Sequence, residues 1–332
     1  MKAIISREIG GPETLVLEEV DDPQASVGQI VVRIKASGVN FPDALIIEDR
    51  YQFKPKRPFS PGGEFSGIVE AIGDGVSLFQ PGDRVMGFSR WGAMAQKIAI
   101  NASRCALIPD KMPFDEASVF FLTYGTSYYS LKERGDLRDG ETLLVLGAAG
   151  GVGLATIEIG KAMGARVVAA VSTPAKARKA RECGADRVVT YPPGPFDASS
   201  RRDLAFLFKA ACAPDGAHVV CDVVGGNYSE AALRAIAWNG RFLVVGFTGG
   251  IPQIPLNLTL LKSCKIVGVF FGPWLDRGVD RFSHTAVKLL EWYQAGKLRP
   301  SISARFPLEE AGIAIAQLAT RKAVGKIVVN ID

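Results

Sequence analysis

From about residue 124 onward, nearly continuous apolar runs alternate with stretches whose apolar residues recur at helical spacing. The runs at 142–146, 166–171, 187–190, 217–223, 241–245 and 265–270 predict strands. The stretches at 154–163, 175–183, 201–211 and 229–238 predict helices between them. Strands apolar on both faces belong to a parallel sheet covered by helices on each side. Thr173-Pro174 supplies a helix cap with proline at the first helical position, and Gly184 supplies a stop. Together these elements predict a doubly wound α/β domain.

Residues 1 to about 120 follow another pattern, with short strands such as 29–36, 65–72 and 84–87. Gly10-Gly11-Pro12, Pro61-Gly62-Gly63 and Pro81-Gly82-Asp83 punctuate them, which predicts a partly closed β-barrel. From about Gly272 come two helices, 282–295 and 308–319, and a last strand, 326–331. The simplest topology returns this tail to the first domain. A catalytic domain of 1–123 and 272–332 would then hold a nucleotide-binding domain, 124–271, as an insertion, with the active cleft between the lobes.

Between the strand at 142–146 and the helix at 154–163 lies Gly147-Ala148-Ala149-Gly150-Gly151-Val152-Gly153. A strand ending in a glycine turn that opens a helix presents free N–H groups and a positive dipole end to a phosphate. Gly150 allows close approach of a pyrophosphate, and Gly153 allows the helix to lie against the strand. Ala148 stands where the usual G-x-G-x-x-G has its first glycine. Glycine turns of this kind also serve packing alone; the strand before, the helix after and the βαβ continuation favour a dinucleotide site.

A cofactor without a 2′-phosphate is usually held by an acidic residue at the end of the second strand, about twenty residues past the turn. Ser172-Thr173 stands there, followed by Lys176. Hydroxyls and an ammonium bind a 2′-phosphate that a carboxylate would repel, which favours NADPH over NADH. Tyr191, ending the third strand, offers a hydroxyl and a face for adenine. Ser172 and Thr173 also read as caps and Lys176 as a surface residue, a role compatible with phosphate contact.

Composition narrows the classes further. The 332 residues are 48% hydrophobic and 22% charged, ordinary for a soluble globular protein large enough for two domains. The net charge of +5 suits an anionic ligand, while the basic run at 176–181 has helical spacing and reads as a solvated face; no motif speaks for nucleic acid. Met1-Lys2-Ala3-Ile4-Ile5 meets Ser6-Arg7-Glu8 before any signal-peptide core forms, and no apolar stretch approaches a membrane span. A cytoplasmic protein without membrane insertion is expected. Cys105, Cys183, Cys212, Cys221 and Cys264 are scattered with no C-x-x-C pair, and the two histidines, His218 and His284, read as structural.

The chain resembles the medium-chain dehydrogenase/reductase superfamily, in its zinc-independent, zeta-crystallin-like quinone oxidoreductase branch. The residues that carry the resemblance run over nearly the whole length: Gly38-Val39-Asn40-Phe41-Pro42-Asp43; Tyr51 leading to Pro58-Phe59-Ser60-Pro61-Gly62-Gly63-Glu64 and Gly67; Pro81-Gly82-Asp83-Arg84-Val85; Leu122-Thr123-Tyr124-Gly125-Thr126; the glycine turn; Asp222-Val223-Val224-Gly225-Gly226; and Gly325-Lys326. The resemblance implies a GroES-like catalytic domain, a Rossmann domain, NADPH and a homodimer or homotetramer. Zinc-containing members carry a cysteine at the position of Asn40 and a histidine at that of Gly63, so no metal site is expected here.

By the same resemblance, Asn40, Tyr51 and Thr126 stand near the nicotinamide or substrate. Ala149, Gly151 and Val152 line the diphosphate turn, with Gly150 and Gly153 as above. Ser172, Lys176, Tyr191 and Arg321 match contacts to the adenosine phosphate. Gly246, Phe247 and Thr248 match the carboxamide site, and Phe270, Phe271 and Gly272 would edge the cleft. The implied reaction is hydride or single-electron transfer to a quinone, with Asn40 and Thr126 donating hydrogen bonds to the carbonyl oxygen that gains charge. A second reading is reduction of an α,β-unsaturated carbonyl or enoyl thioester: Tyr51 precedes Pro58 as the proton-donating tyrosine does in the family's Tyr-x-x-x-Pro-x-x-Pro stretch. Tyr51 reads equally as an aromatic wall. A non-catalytic, crystallin-like NADPH-binding protein is a third reading, against which the retention of Asn40, Tyr51 and Thr126 together weighs. Phe41, Phe88, Trp91, Phe120, Phe121, Phe270, Phe271 and Trp274 read as cleft or as core. The segment 191–200 reads as a surface loop, and 251–261, by analogy with the family, as a subunit interface.

Overall fold

The computed structural model describes residues 1–332 apart from 193, 195, 279, 321 and 322 and the side chain of Ala198. The chain forms two compact units, Met1–Leu122 with Arg277–Gln294 and Arg299–Asp332, and Thr123–Asp276 with Ala295–Leu298.

In chain order the first unit opens with β1 (Lys2–Ile5), β2 (Val16–Glu19), β3 (Gln29–Val39), α1 (Phe41–Ile47), β4 (Glu64–Ile72), β5 (Arg84–Phe88), β6 (Lys97–Asn101), β7 (Cys105–Leu107) and α2 (Phe114–Ala117). Then come α3 (Phe121–Tyr128), β8 (Thr142–Leu146), α4 (Gly151–Ala162), β9 (Arg166–Val171), α5 (Pro174–Glu182), β10 (Arg187–Thr190), α6 (Ala198–Ala211), β11 (Ala217–Asp222), α7 (Asn227–Arg234), β12 (Ile236–Val244), α8 (Asn257–Lys262), β13 (Lys265–Gly268) and α9 (Phe271–Asp276). The tail adds α10 (Arg281–Gln294), β14 (Ile302–Pro307), α11 (Ala311–Ala319) and β15 (Lys326–Asn330).

Strands β14-β15-β3-β4-β5-β7 follow one another in a sheet, with β6 also pairing β3. Bulges at Val31/Val32 and Ile34/Ala36 interrupt the β3–β4 register, and bulges bend a strand. Its first half faces β6, Gln29↔Asn101, and its last residues face β15, Val39↔Ile327. Gly38 pairs with Glu64 at the start of β4. Three strand ends therefore converge beside Asn40. Ile30, Val32, Ile34, Phe65, Val85, Ile327 and Val329 form the apolar interior behind them.

The second unit holds a six-stranded sheet in the order β10-β9-β8-β11-β12-β13, with every pairing parallel. The strand order reverses between β8 and β11, the place where open α/β sheets bind ligands at their carboxyl ends. Helix α5 starts as its sequence dictates: the Thr173 side chain accepts from Lys176 N–H at 3.3 Å, and Pro174 follows. Asp197 does the same for α6, accepting from Ser200 N–H at 2.8 Å. The described residues of 191–197 form neither helix nor strand, Pro193 and Pro195 lie outside the described residues, and α6 already begins at Ala198.

One predicted helix, 229–238, is shorter than expected. α7 ends at Arg234, and Ile236 to Trp238 belong to β12. Asn239 adopts a φ of 58°, and the β11 pairing jumps from Ala217↔Ile236 to Val219↔Arg241. The left-handed residue makes a bulge, which helical periodicity of the apolar residues conceals. Similarly, 308–319 begins as a 3-10 turn at Leu308–Glu310 before α11.

Candidate active site

A parallel sheet carries all its carboxyl ends to one edge, and this edge collects the segments predicted to bind a nucleotide. β8 ends in Gly147–Gly150, β9 in Ser172, β10 in Tyr191, β11 in Val223–Gly226, β12 in Gly246–Thr248 and β13 shortly before Phe270. Helix α4 makes its first intrahelical bond from Leu154 N–H to Gly150 O at 2.9 Å. The amides of Gly151, Val152 and Gly153 precede that bond, so the helix leaves them for a ligand. A Cβ on Gly153 would stand 2.2 Å from Gly147 O and 2.7 Å from Ala148 Cα, whereas one on Gly150 would meet only Gly147 O, at 3.6 Å. The first glycine serves helix–strand contact; the second leaves room. Ala148 and Ala149 are buried beneath the turn.

At the end of β9, Lys176 Nζ donates to Ser172 Oγ at 3.4 Å. Partial burial lowers the pKa of this ammonium, and an anion would offset that desolvation. No carboxylate stands in Val171-Ser172-Thr173. An open cradle of helix amides with a cation and hydroxyl one strand away fits a dinucleotide bearing a 2′-phosphate.

The turns after β11 and β12 clasp one another. Gly226 N–H donates to Gly250 O at 2.7 Å and Gly249 N–H to Val224 O at 2.5 Å. A Cβ on Gly225 would come within 2.4 Å of Gly250 O. The Thr248 hydroxyl donates to Val223 O at 3.2 Å, and Phe247 is exposed. Asp222 anchors this clasp: its buried carboxylate accepts from Val224 N–H at 2.8 Å, Gly225 N–H at 2.9 Å and Ser229 Oγ at 2.5 Å. Burial raises its pKa while those donors pull it down.

In the other unit, Asn40 caps the junction of β3 and α1. Its Nδ2 donates to Gly38 O at 3.1 Å and to Glu64 Oε1 at 2.9 Å, while its Oδ1 accepts from Lys326 Nζ. Lys326 also donates to Glu64 Oε1 and Val39 O, each at 2.8 Å. Asn40 N–H donates to Asp43 Oδ2 at 2.7 Å. Burial pushes the Asp43 carboxyl up to about 7 against the pull of the Asn40 N–H and of Lys326. Tyr51 is half-buried, its ring 5.9 Å from that of Phe53, over which Arg90 lies at 4.3 Å. Burial, then the charge of Asp43, holds the Tyr51 phenol above its usual pKa.

Three expectations change. Asn40 has no N–H left to offer a carbonyl oxygen, because both of its amide hydrogens are engaged. Tyr191 offers adenine no face: its buried ring lies 4.9 Å from Tyr228 and 6.3 Å from Phe208, inside the protein. Phe271 does not edge a cleft; it is buried beside Gly125 and 5.9 Å from Trp274, while Phe270 is exposed. Phe120 and Phe121 are also core. Thr126 lies half-buried on α3, its carbonyl accepting from Ser130 Oγ at 2.6 Å. Arg321 lies outside the described residues.

Glu64, Lys326, Asp43 and Asp222 were not singled out for chemistry from the sequence. Each borders an apolar run, and a charged residue at such a border is the signal that could have marked it. Among the described residues, no group of three or more His, Cys, Asp or Glu is placed to hold a metal ion. None of their helices is long and apolar enough to cross a membrane. A depression of about 380 Å³ beside Ile5, Val20 and Phe59 contains none of the predicted site residues.

One unit with a parallel sheet and its glycine turn, and another with a mostly antiparallel sheet, define a two-domain dehydrogenase fold. The Alcohol dehydrogenase GroES-like domain model matches residues 26–110, and the Zinc-binding dehydrogenase model matches 151–292. Quinone oxidoreductase-like protein 2 of Bos taurus is 34% identical over 332 residues, 99% of this chain and 92% of the relative. Quinone oxidoreductase of Rattus norvegicus is 30% identical over 313 residues, 94% of this chain and 92% of that one. The Escherichia coli quinone oxidoreductase complexed with NADPH superposes with a TM-score of 0.90 at 27% identity, covering 99% of this chain and 100% of that chain. A mycobacterial protein complexed with NADPH gives 0.91 at 30% identity, with 99% of each chain covered. The chain belongs to the zinc-independent quinone oxidoreductase branch of the medium-chain dehydrogenase/reductase superfamily and is an oxidoreductase.

Proposed function

We propose that this oxidoreductase uses NADPH to reduce a quinone or a similarly planar, electron-poor carbonyl compound without zinc. The observation that carries the reading is the end of β9, where Lys176 and Ser172 occupy the place at which an NAD-binding protein keeps a carboxylate. NADPH supplies the hydride when bound. The amides of Gly151, Val152 and Gly153 hold the diphosphate at the positive end of α4. Lys176 and Ser172 hold the 2′-phosphate. Gly246, Phe247 and Thr248, tied to β11 by Gly246 N–H donating to the Asp222 carbonyl at 3.3 Å, hold the nicotinamide end. The Thr126 hydroxyl donates to the acceptor oxygen. Asn40 acts by holding its junction rather than by donating to the acceptor. The names and complexes of the relatives support the quinone and the cofactor. In this reading 1–123 and 272–332 form the catalytic domain and 124–271 the nucleotide domain.

A second reading is reduction of an enone or enoyl thioester with Tyr51 as proton donor. It is favoured by the spacing of Tyr51 to Pro55 and Pro58 and by the half-buried placement of the phenol, which carries the proton a donor needs. A homodimer or homotetramer is supported by exposed Leu256, Leu260 and Leu261 around α8 and by Ile266 on β13, which among the described residues is an edge strand beside β12. The free cysteines are in keeping with a reducing, cytoplasmic setting.

The test is NADPH oxidation measured with quinones, enones and enoyl-CoA thioesters in parallel, with NADH as the control coenzyme. Turnover of quinones with NADPH preferred is expected. Turnover with NADH alone, or with no acceptor at all, overturns the reading.

A further inference from the structure

Lys326 is buried, 6% exposed, and each of its three N–H donors is spent: on Val39 O, Asn40 Oδ1 and Glu64 Oε1. Asn40 is saturated in turn, with its two amide hydrogens on Gly38 O and Glu64 Oε1. This network admits one orientation of the amide. A reversed amide would set its NH2 against the ammonium and its oxygen against a carboxylate and a carbonyl. Lys326 supplies a donor to Oδ1 while Gly38 O and Glu64 Oε1 take the two amide hydrogens, so the lysine reinforces the orientation that the two acceptors also require.

We propose that Lys326 is a positioning residue for the reduction: from the start of β15 it locks the Asn40 amide, with Glu64 as its counter-ion, and so holds the junction from which α1 leads to Tyr51. The inference deepens the proposed function and rests on it for the link to turnover. Glu64 also accepts from Leu122 N–H at 3.1 Å, which ties the pair to the chain just before Thr126. Asp43, on α1, is tied to the same junction through Asn40 N–H and lies within the field of Lys326. Losing Lys326 takes the ammonium from Asn40 Oδ1 and leaves Glu64 a buried charge without its counter-ion, which weakens the network that holds the amide.

The full-length chain tests this with Lys326→Met, Lys326→Arg and the double variant E64Q/K326M. One readout needs no cofactor: hydrogen exchange of the Asn40 side-chain amide, followed by NMR after selective 15N-asparagine labelling. The other is steady-state kinetics with NADPH and the best acceptor. In Lys326→Met the amide should exchange at least about tenfold faster and kcat should fall at least about tenfold, while KM for NADPH stays within about twofold. Lys326→Arg should restore both to within about threefold. A folded Lys326→Met protein with a protected amide and wild-type kcat overturns the inference. Should that variant fail to fold, the double variant, which removes both charges together, is read in its place; a protected amide there overturns it equally. If wild-type protein reduces no acceptor, the proposed function falls, and the exchange measurement still judges the locking of Asn40 by Lys326.

Discussion

At the carboxyl edge of the parallel sheet, the polar groups offered to a ligand are mostly backbone amides from a contiguous run, Gly151 to Gly153, set by one strand and one helix. At the β3–α1 junction the polar groups are side chains bonded to one another, and Asn40 meets Lys326 across 286 positions of sequence. The first arrangement tolerates little change in residue type, because a Cβ on Gly153 would strike backbone atoms. The second depends on complementary charge held out of water, where a missing partner costs more than the pair contributes. Backbone sites bind a shared feature such as a diphosphate; buried side-chain networks fix orientation.

The sharpest way to test the backbone half is Gly153→Ala. Helix α4 has to move off Gly147 and Ala148, so a stability loss of about 2 kcal/mol or more is expected, with at least ~100-fold weaker NADPH binding. Thermal melts and calorimetry check the two effects, and near-wild-type binding would deny this edge its role. Tyr51→Phe divides the two acceptor readings: enone reduction should slow by about 100-fold while quinone rates stay within about threefold. Equal rates on both acceptors would leave Tyr51 a wall. Lys176→Ala should lower the NADPH-over-NADH ratio of kcat/KM by about 10- to 100-fold, the worth of a charge-assisted hydrogen bond. An unchanged ratio removes Lys176 from phosphate recognition.

A fourth test, read on stability rather than on turnover, probes the buried network. Asp43 titrates at about 7 in the folded protein, well above its ordinary value, so the fold binds this proton more tightly than the unfolded chain does. The stability it contributes is complete below about pH 4, declines as pH rises, and is lost above about 7. Urea denaturation at pH 5 and pH 8 should therefore give a smaller pH dependence for Asp43→Asn than for wild type. An identical slope would mean that Asp43 ionises as an exposed carboxyl does.

Local signals were readable wherever they were also contiguous. The strands 142–146, 166–171 and 187–190 stand where their apolar runs predicted, because a strand covered on both faces needs no distant partner to declare itself. Thr173-Pro174 capped its helix for the same reason. The bulge at Asn239 was hidden by helical spacing nearby, and β14 escaped notice with its alternating, half-buried residues. At the site, Ser172 with Lys176 could be anticipated from position along the chain. The burial of Tyr191 and Phe271 could not, because an aromatic at a strand end reads alike whether its ring meets solvent or core.

The sequence by itself determined the parallel sheet, its glycine turn and the family, since hydrophobic period and turn chemistry act over a few residues. Only the tertiary structure decided that Asn40 has no free donor, that the buried Asp222 carboxylate ties the turn after β11 to Ser229, and that Lys326 faces Glu64. Those outcomes depend on strand register, which brings distant residues within hydrogen-bond reach, and on burial, which obliges each polar atom there to find a partner.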